Sequence, residues 1–436
     1  MPDLLAARAQ MALSLAFHIL FAVAGMAMPV LMVLAEVRAR RGDAASAELA
    51  RRWARGTAIL FAVGAVSGTV LSFELGLLWP RFMAHAGPLV GVPFGLEGFA
   101  FFTEAIFLGI YLYGRERVPP AMHLFSAVAV AVSGLTSGVF VVAVNAWMNT
   151  PVGFTLADGG LVDVDPWAAF AAPAFPTQAI HTALSAYGSI AFVVLGIHAL
   201  CLLRDPDSVL HHRAVQMALG LALVTTPLQI VSGDFAAKHV AAHQPAKLAA
   251  AEGLFTTQAR APLCIGGVPD ADARQMRWAF EIPGGLSFLA HGDVDAEVVG
   301  LDAIPRADWP PVAVTHVAFQ IMVACGTAML ALVVWGAWLR LRRRPLARAR
   351  GFLRAAVLAA PLGLLAVEAG WTVTEVGRQP WIVHGFLRTA DAVTPMPKLA
   401  LPLAAFTSLY LLLGVVVVTM LRRHVFATTR AERVVE

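Results

Sequence analysis

Apolar residues in this chain do not alternate with polar ones at a strand or surface-helix period; they run on without interruption. Nine stretches, at residues 10–35, 56–80, 92–114, 121–148, 177–203, 213–236, 312–339, 352–375 and 397–421, are apolar almost throughout and are parted by charged or Pro/Gly-rich breaks. Roughly 20 apolar residues cross a bilayer as a helix, the one open-chain structure that pairs its own backbone groups there. The pattern therefore predicts an all-α, polytopic membrane protein with about nine transmembrane helices. Helices 1–4 fall within 1–148, an external loop occupies 149–176, helices 5 and 6 lie in 177–236, and a long external segment fills 237–311. Helices 7–9 follow in 312–423, with a tail at 424–436. The first run stands behind Met1 to Gln10 without a small-residue cleavage site and reads as a retained helix.

Composition agrees with the pattern: 58% of the 436 residues are hydrophobic and 14% charged, with a mean hydropathy of +0.72. Basic residues set the orientation. RARR (38–41), RRWAR (51–55), RER (115–117), RLRRRPLARAR (340–350) and RRH (422–424) follow alternate spans, which places the N-terminus outside and the C-terminus in the cytoplasm. These loops account for the net charge of +4, so no nucleic-acid partner is implied. Cys201, Cys264 and Cys325 lie in separate segments without a CxxC pattern and suggest neither a metal site nor a disulfide framework.

Against this apolar background, ionisable residues stand out. Glu97 and Glu104 share one face of span 3, seven residues and about 10 Å apart, where an acid is costly unless it faces a cavity, a cofactor or a partner helix. Span 1 holds His18, span 2 ends with Glu74 and an interface-suited Trp79, and span 4 ends with Asn145, Trp147 and Asn149. The loop after it is acidic, with Asp158, Asp163 and Asp165. Span 5 carries His181 near its outer end, beside small residues, and His198 at the other end, where an interfacial role is expected. Span 7 offers His316 and Met322, and span 8 Glu368 followed by Glu375. In the 237–311 segment, which shows little regular patterning, Lys247 and Glu252 read as a charged pair within an outward-facing binding element. With the orientation above, His18, Glu97, His181, Met322 and Glu368 all fall in the outer half of the membrane. Such a cluster suits several haems near an external substrate site better than a through-going channel. An ion- or proton-coupled secondary transporter without haem is the alternative, although no inverted internal repeat is visible.

The residues also carry a resemblance. FHILF around His18, SFELGLLWP (72–80), the GxPxxLEGFAFFTEAIFLG block, NAWMNTPVG, IHTALSAYG, KLAAAE, AFQIMVACG, VEAGW and GRQPW together resemble subunit I of the cytochrome bd-type quinol oxidases, in particular the cyanide-insensitive branch with a short quinol loop. The resemblance covers nearly the whole chain and implies an electrogenic quinol:oxygen oxidoreductase (a ubiquinol oxidase) of the bacterial inner membrane. It would oxidise quinol at the outer face and reduce oxygen to water with cytoplasmic protons. The implied cofactors are a low-spin haem b, a high-spin haem b, and haem d or a third haem b; the implied partners are a subunit II, a small single-helix subunit, quinol, oxygen and the lipid bilayer. Residue by residue, it implies His181 and Met322 as axial ligands of the low-spin haem, and His18 and Glu368 as ligands of the high-spin pair. Glu97 and Glu104 would line the haem pocket and a proton route, with Glu97 a further candidate ligand, and Lys247 and Glu252 would serve quinol oxidation. Gln320 stands where several relatives have Arg.

Overall fold

Each apolar run becomes a helix, and most helices outlast their run. The computed structural model describes residues 1–157 and 160–426; Asp158 and the tail beyond Phe426 lie outside the described residues. Among the described residues nine spans are long and apolar enough to cross a membrane. They are α1 (Asp3–Ala39), α2 (Ala44–Leu78), α3 (Pro80–Tyr113), α4 (Pro120–Asn149), α5 (Phe175–Arg204), α6 (Val209–His243), α9 (Val312–Leu341), the pair α10 (Arg350–Ala359) and α11 (Leu362–Val376), and α13 (Ala400–Leu421). Short helices α7 (Pro245–Glu252), α8 (Gly285–His291) and α12 (Thr389–Ala392) belong to the connections.

Proline and glycine explain where the helices depart from the apolar runs. Pro80 occupies the first turn of α3, where its missing N–H costs nothing, so the helix starts there and not near residue 92 as the run suggests. Span 8 was expected to be one helix. It breaks between Ala359 and Leu362 because Pro361 offers no N–H and disfavours helical backbone in the residue before it. At that break two close approaches are made by glycines. A Cβ on Gly196 would come within 2.4 Å of the Ala360 Cβ, and one on Gly363 within 2.4 Å of the Ser189 Cα, so α5 runs almost in backbone contact with α10 and α11.

A membrane core runs through the bundle from Ile19 and Met32 to Phe352 and Val367. A second core, which includes Trp79, Phe82, Trp147 and Ile382, caps the end of the bundle at which α1 begins, the outer end in the orientation that the basic loops imply. Trp79 is therefore buried under this cap, not stationed at the interface as its position after span 2 suggests. The segment 237–311 is also more ordered than its weak patterning implies. Helix α6 extends to His243, α7 and α8 follow, and their apolar faces share a small core with Phe255, Leu301 and Val312. Five antiparallel pairs finish the connections: β1 (Thr155–Ala157) with β2 (Gly160–Val162), β3 (Gln258–Ala259) with β8 (Glu297–Val298), β4 (Leu263–Ile265) with β7 (Phe280–Ile282), β5 (Val268–Asp270) with β6 (Gln275–Arg277), and β9 (Trp381–Val383) with β10 (Leu387–Arg388).

Candidate functional site

The ligand-type residues occupy one layer of the bundle, and helix rise establishes this without reference to a membrane. Glu104 lies between Gly25 of α1 and Gly134 of α4, where added Cβ atoms would come within 3.7 and 3.3 Å of its carboxylate. Seven residues outward, about 10 Å, lie Glu97 on α3 and His18 on α1. Glu97 accepts a hydrogen bond from Ser137 of α4 at 3.2 Å. Further out on α4, Asn145 donates to Glu375 of α11. Returning inward by eight residues on α4 and seven on α11, about 10–12 Å each, brings Ser137 and Glu368 to the same level. Met322 joins them, since a Cβ on Gly370 would lie 3.1 Å from its sulfur. His181, positioned through the contact of Ser189 with Gly363, sits about 5 Å further out.

The contacts of both imidazoles suit the tautomer a metal ligand requires. Nδ1 of His18 lies 3.0 Å from Ser67 Oγ, and that hydroxyl donates its single proton to the Val63 carbonyl at 2.9 Å. With the hydroxyl proton so placed, Ser67 accepts from Nδ1–H of His18 and Nε2 keeps its lone pair. The arrangement recurs on α5 and α6. His181 Nδ1 lies 3.0 Å from Ser232 Oγ, which donates to the Gln229 carbonyl at 2.9 Å. The free Nε2 of His181 accepts from the Gln229 amide at 2.9 Å.

Whether a flat cofactor fits depends on the facing surfaces. Gly68 faces His18, Gly233 faces His181 and Gly370 faces Met322; Cβ atoms there would stand 2.9, 3.4 and 3.1 Å from the ring or sulfur. Buried oxygens of Glu104 and Glu368 have no hydrogen-bond partner in the protein, nor has the Gln229 carbonyl oxygen. Imidazole and thioether donors in one layer with uncommitted buried oxygens of Glu104, Glu368 and Gln229 are the donor set of a haem site, so the residues fit the group.

A second polar region lies at the outer end, and sequence spacing alone did not reveal it as one network. Lys247 donates to Asn149 Oδ1 at 2.5 Å, Gln244 donates to the Asn149 carbonyl at 2.6 Å, and Asn149 donates to Asn145 Oδ1 at 2.9 Å. Asn145 reaches Glu375, whose other oxygen accepts from Arg378 at 2.5 Å. The two asparagines of NAWMN are one helical turn apart, which was the available signal. Lys247 and Glu252 do not form the expected charged pair. Five residues apart on α7, they point to different sides, and each is buried in its own surroundings. Burial, with Arg378 nearby, holds the Lys247 amine down to about 7, and burial alone pushes the Glu252 carboxyl up to about 8.

Two residues left open by the sequence turn out to fasten the 237–311 segment. Nδ1 of His316 contacts the Ala251 carbonyl at 2.8 Å and its Nε2 the Gly266 carbonyl at 3.2 Å, so this imidazole is occupied. Gln320 donates to the Cys264 carbonyl at 2.9 Å and accepts from the Gly266 N–H at 3.0 Å. His198 is partly buried and pairs with His211 at 2.8 Å, a packing role in place of the interfacial one expected. At the opposite end from the ligand layer, Glu36 gathers Tyr111, Arg115 and His123 at 3.0, 3.2 and 3.1 Å. Sequence reading passed over this cluster because its members lie on three helices and the turn after α3.

Comparison with known proteins agrees with the geometry. The family described as cytochrome bd terminal oxidase subunit I matches residues 6–428. The chain is 37% identical to a Bacillus subtilis (strain 168) protein carrying the provisional name of cytochrome bd menaquinol oxidase subunit I, over 97% of this chain and 98% of that one. It is 30% identical to the cytochrome bd ubiquinol oxidase subunit 1 of the same strain, over 98% and 94%. The bd oxidase structure from Geobacillus thermodenitrificans superposes with a TM-score of 0.90 at 38% identity, covering 97% of this chain and 98% of that chain. With a match that spans nearly its whole length in sequence and in structure, the chain belongs to the cytochrome bd terminal oxidase subunit I family.

Proposed function

We propose that this chain binds one low-spin and two high-spin haems in its outer layer, with His181 and Met322 on the low-spin iron, His18 on one high-spin iron and a carboxylate of α11 on the other. The family is that of terminal quinol oxidases, so the chain is a subunit of a quinol:oxygen oxidoreductase, a multi-pass protein of the bacterial inner membrane with haem cofactors. Bound haem supplies one-electron carriage and the iron at which oxygen is reduced. The observation that carries the assignment is the pair of imidazoles whose Nδ1 each faces a serine hydroxyl placed to accept from it, an arrangement that leaves the Nε2 lone pair of His18 to a metal and that of His181 to a metal in place of the Gln229 amide.

The chain's own residues then divide the work. Ser67 and Ser232 orient the two rings, and Gly68 and Gly233 let those rings pack closely against the neighbouring helices. Glu97 and Glu104 hold protons between the interior and the haem layer. Lys247 and Glu252 belong to the quinol-oxidising element formed by α7 and the segment behind it. A subunit II, together with a small single-helix subunit, completes the enzyme, and cytoplasmic protons meet oxygen while quinol protons leave outside. This requires the N-terminus outside and the C-terminus inside.

For the carboxylate, the resemblance implies Glu368, which has an unpartnered buried oxygen. Glu375 is a second reading: Asn145 and Arg378 orient it as ligating carboxylates are commonly oriented. A reduced-minus-oxidised spectrum of the purified protein tests the whole assignment, and absence of any haem band sinks it. Glu368→Gln and Glu375→Gln variants then separate the carboxylates, because only the ligand's loss removes a high-spin signal.

A further inference from the structure

Arg378 is among the largest side chains fully enclosed by the fold, at 2% exposure, and its bonding is incomplete. One nitrogen donates to Glu375, whereas Nε and Nη1 are buried without any partner. Lys247, 4% exposed, stands in the same region and is bonded only to a neutral amide oxygen, that of Asn149. Two buried cations thus share one carboxylate. Asp308 is also nearby but is engaged by Arg388, and Gln244, Gln379 and His384 add no negative charge. Buried charge without a counterion is costly, and buried guanidinium donors are very rarely left unmade. Both cations line a cavity of about 260 Å³.

The position of this cavity relative to the haem layer limits what the missing anion can be. A Cβ on Gly377 would lie 3.0 Å from Lys247 Cγ and 3.2 Å from Thr315 Cγ2, so Lys247 stands at the level of Thr315 on α9 and Gly377 on α11. Met322 and its neighbour Gly370 lie seven residues further in on those same helices, about 10 Å. Haem carries its two carboxylates on one edge, away from the iron. A ring held upright at Met322 with that edge outward would bring them toward Lys247 and Arg378.

We propose that Arg378 and Lys247 form a carboxylate-binding cradle and that it takes a propionate of the haem held by His181 and Met322. Arg378 offers two unpartnered donors, Nε and Nη1, on either side of the one that Glu375 takes, so a carboxylate can accept a charge-assisted hydrogen bond from one of them while Lys247 adds a point charge beside it. The cradle rests on the haem assignment above, and it gives Lys247 a duty toward the cofactor in addition to its place beside the quinol element.

Redox-difference infrared spectra of the holoenzyme, with haem labelled by carbon-13 at the propionate carboxyls, test the cradle. Label-sensitive carboxylate bands are expected to shift in Arg378→Gln and in Lys247→Gln, but not in Arg388→Gln, and the low-spin midpoint potential should fall in the first two. If Arg378→Gln does not assemble, Lys247→Gln and the conservative Arg378→Lys carry the same readout. Unchanged labelled bands in the variants overturn the proposal, and unchanged bands with a tenfold rise in quinol KM assign the cradle to the quinol head group instead. Absence of haem bands from the unsubstituted protein is a different failure, that of the haem assignment itself.

Discussion

A serine hydroxyl has one proton, and at both candidate imidazoles that proton is already committed to a helix carbonyl. The consequence is graded. If His181 and Met322 hold the low-spin iron, His181→Ala or Met322→Ala should abolish the low-spin haem bands while high-spin bands persist. Ser232→Ala removes only the group that orients the ring and should weaken haem retention by about 10–100-fold, the usual effect of losing such a partner. Haem-to-protein ratios after purification distinguish the two. The buried pair of charges on α7 makes a second prediction, in pH. Glu252 titrates near 8 when folded against an ordinary 4.5, so the folded state binds more protons between those values and stability falls as pH rises through that window. Lys247 titrates near 7 against 10.5, so the unfolded state binds more protons there and stability rises from about 7 upward. Together they give a stability minimum between about pH 7 and 8. Thermal midpoints of detergent-solubilised protein should show Glu252→Gln losing the fall on the acid side and Lys247→Met losing the rise on the alkaline side.

Among the elements, α11 holds the most in place with the least chain. In 15 residues it presents Glu368, Gly370 to Met322, and Glu375, and it touches the backbone of α5 at Gly363. A side chain at Gly363 must push α11 away from Ser189, and overpacking of this kind costs about 1–3 kcal/mol. Gly363→Val should therefore lower the thermal midpoint and also reduce low-spin haem content, because α5 carries His181 and α11 packs on Met322. Retention of full haem content in a destabilised variant would show that the separation of these helices is not critical to the site. The spans were legible because apolar runs report burial in lipid directly, and Glu97, His18 and Glu368 were legible because an ionisable group in such a run is conspicuous. The outer network was not. Asn145, Asn149, Gln244 and Arg378 lie at helix ends, where polar residues are ordinary, and only the packing of α4, α7 and α11 makes them neighbours. The false pairing of Lys247 with Glu252 has the same origin, since closeness in sequence on a short helix does not mean a shared side.

Across the whole molecule, buried polar groups form separate strata: the outer network, the ligand layer, Glu104, and the Glu36 cluster at the far end. Between Glu104 and Glu36 the packing is mainly apolar, with Met28, Met32, Leu108 and Val130 all buried and the Thr57 hydroxyl set against Met32. Seven residues, about 10 Å, separate Glu104 from Tyr111 on α3. No hydrogen-bonded side chain bridges that interval among the described residues, and the Glu36 carboxylate is already bound by three partners. Glu104, in contrast, keeps an unpartnered buried oxygen and has glycines on two sides, so it has both the capacity and the room for a proton or a water. If it relays protons to the haem layer, Glu104→Gln should lower oxygen turnover at least tenfold and the membrane potential in step, with quinol KM and haem bands preserved. Glu36→Gln, which disturbs a closed cluster, should chiefly lower stability, by about 1–3 kcal/mol for the weakened buried hydrogen bonds. Turnover and potential measured in proteoliposomes separate these roles. Normal turnover in the Glu104 variant would reduce that acid to a packing element between α1 and α4, whereas lost turnover in the Glu36 variant at unchanged stability would extend the proton route through the apolar interval.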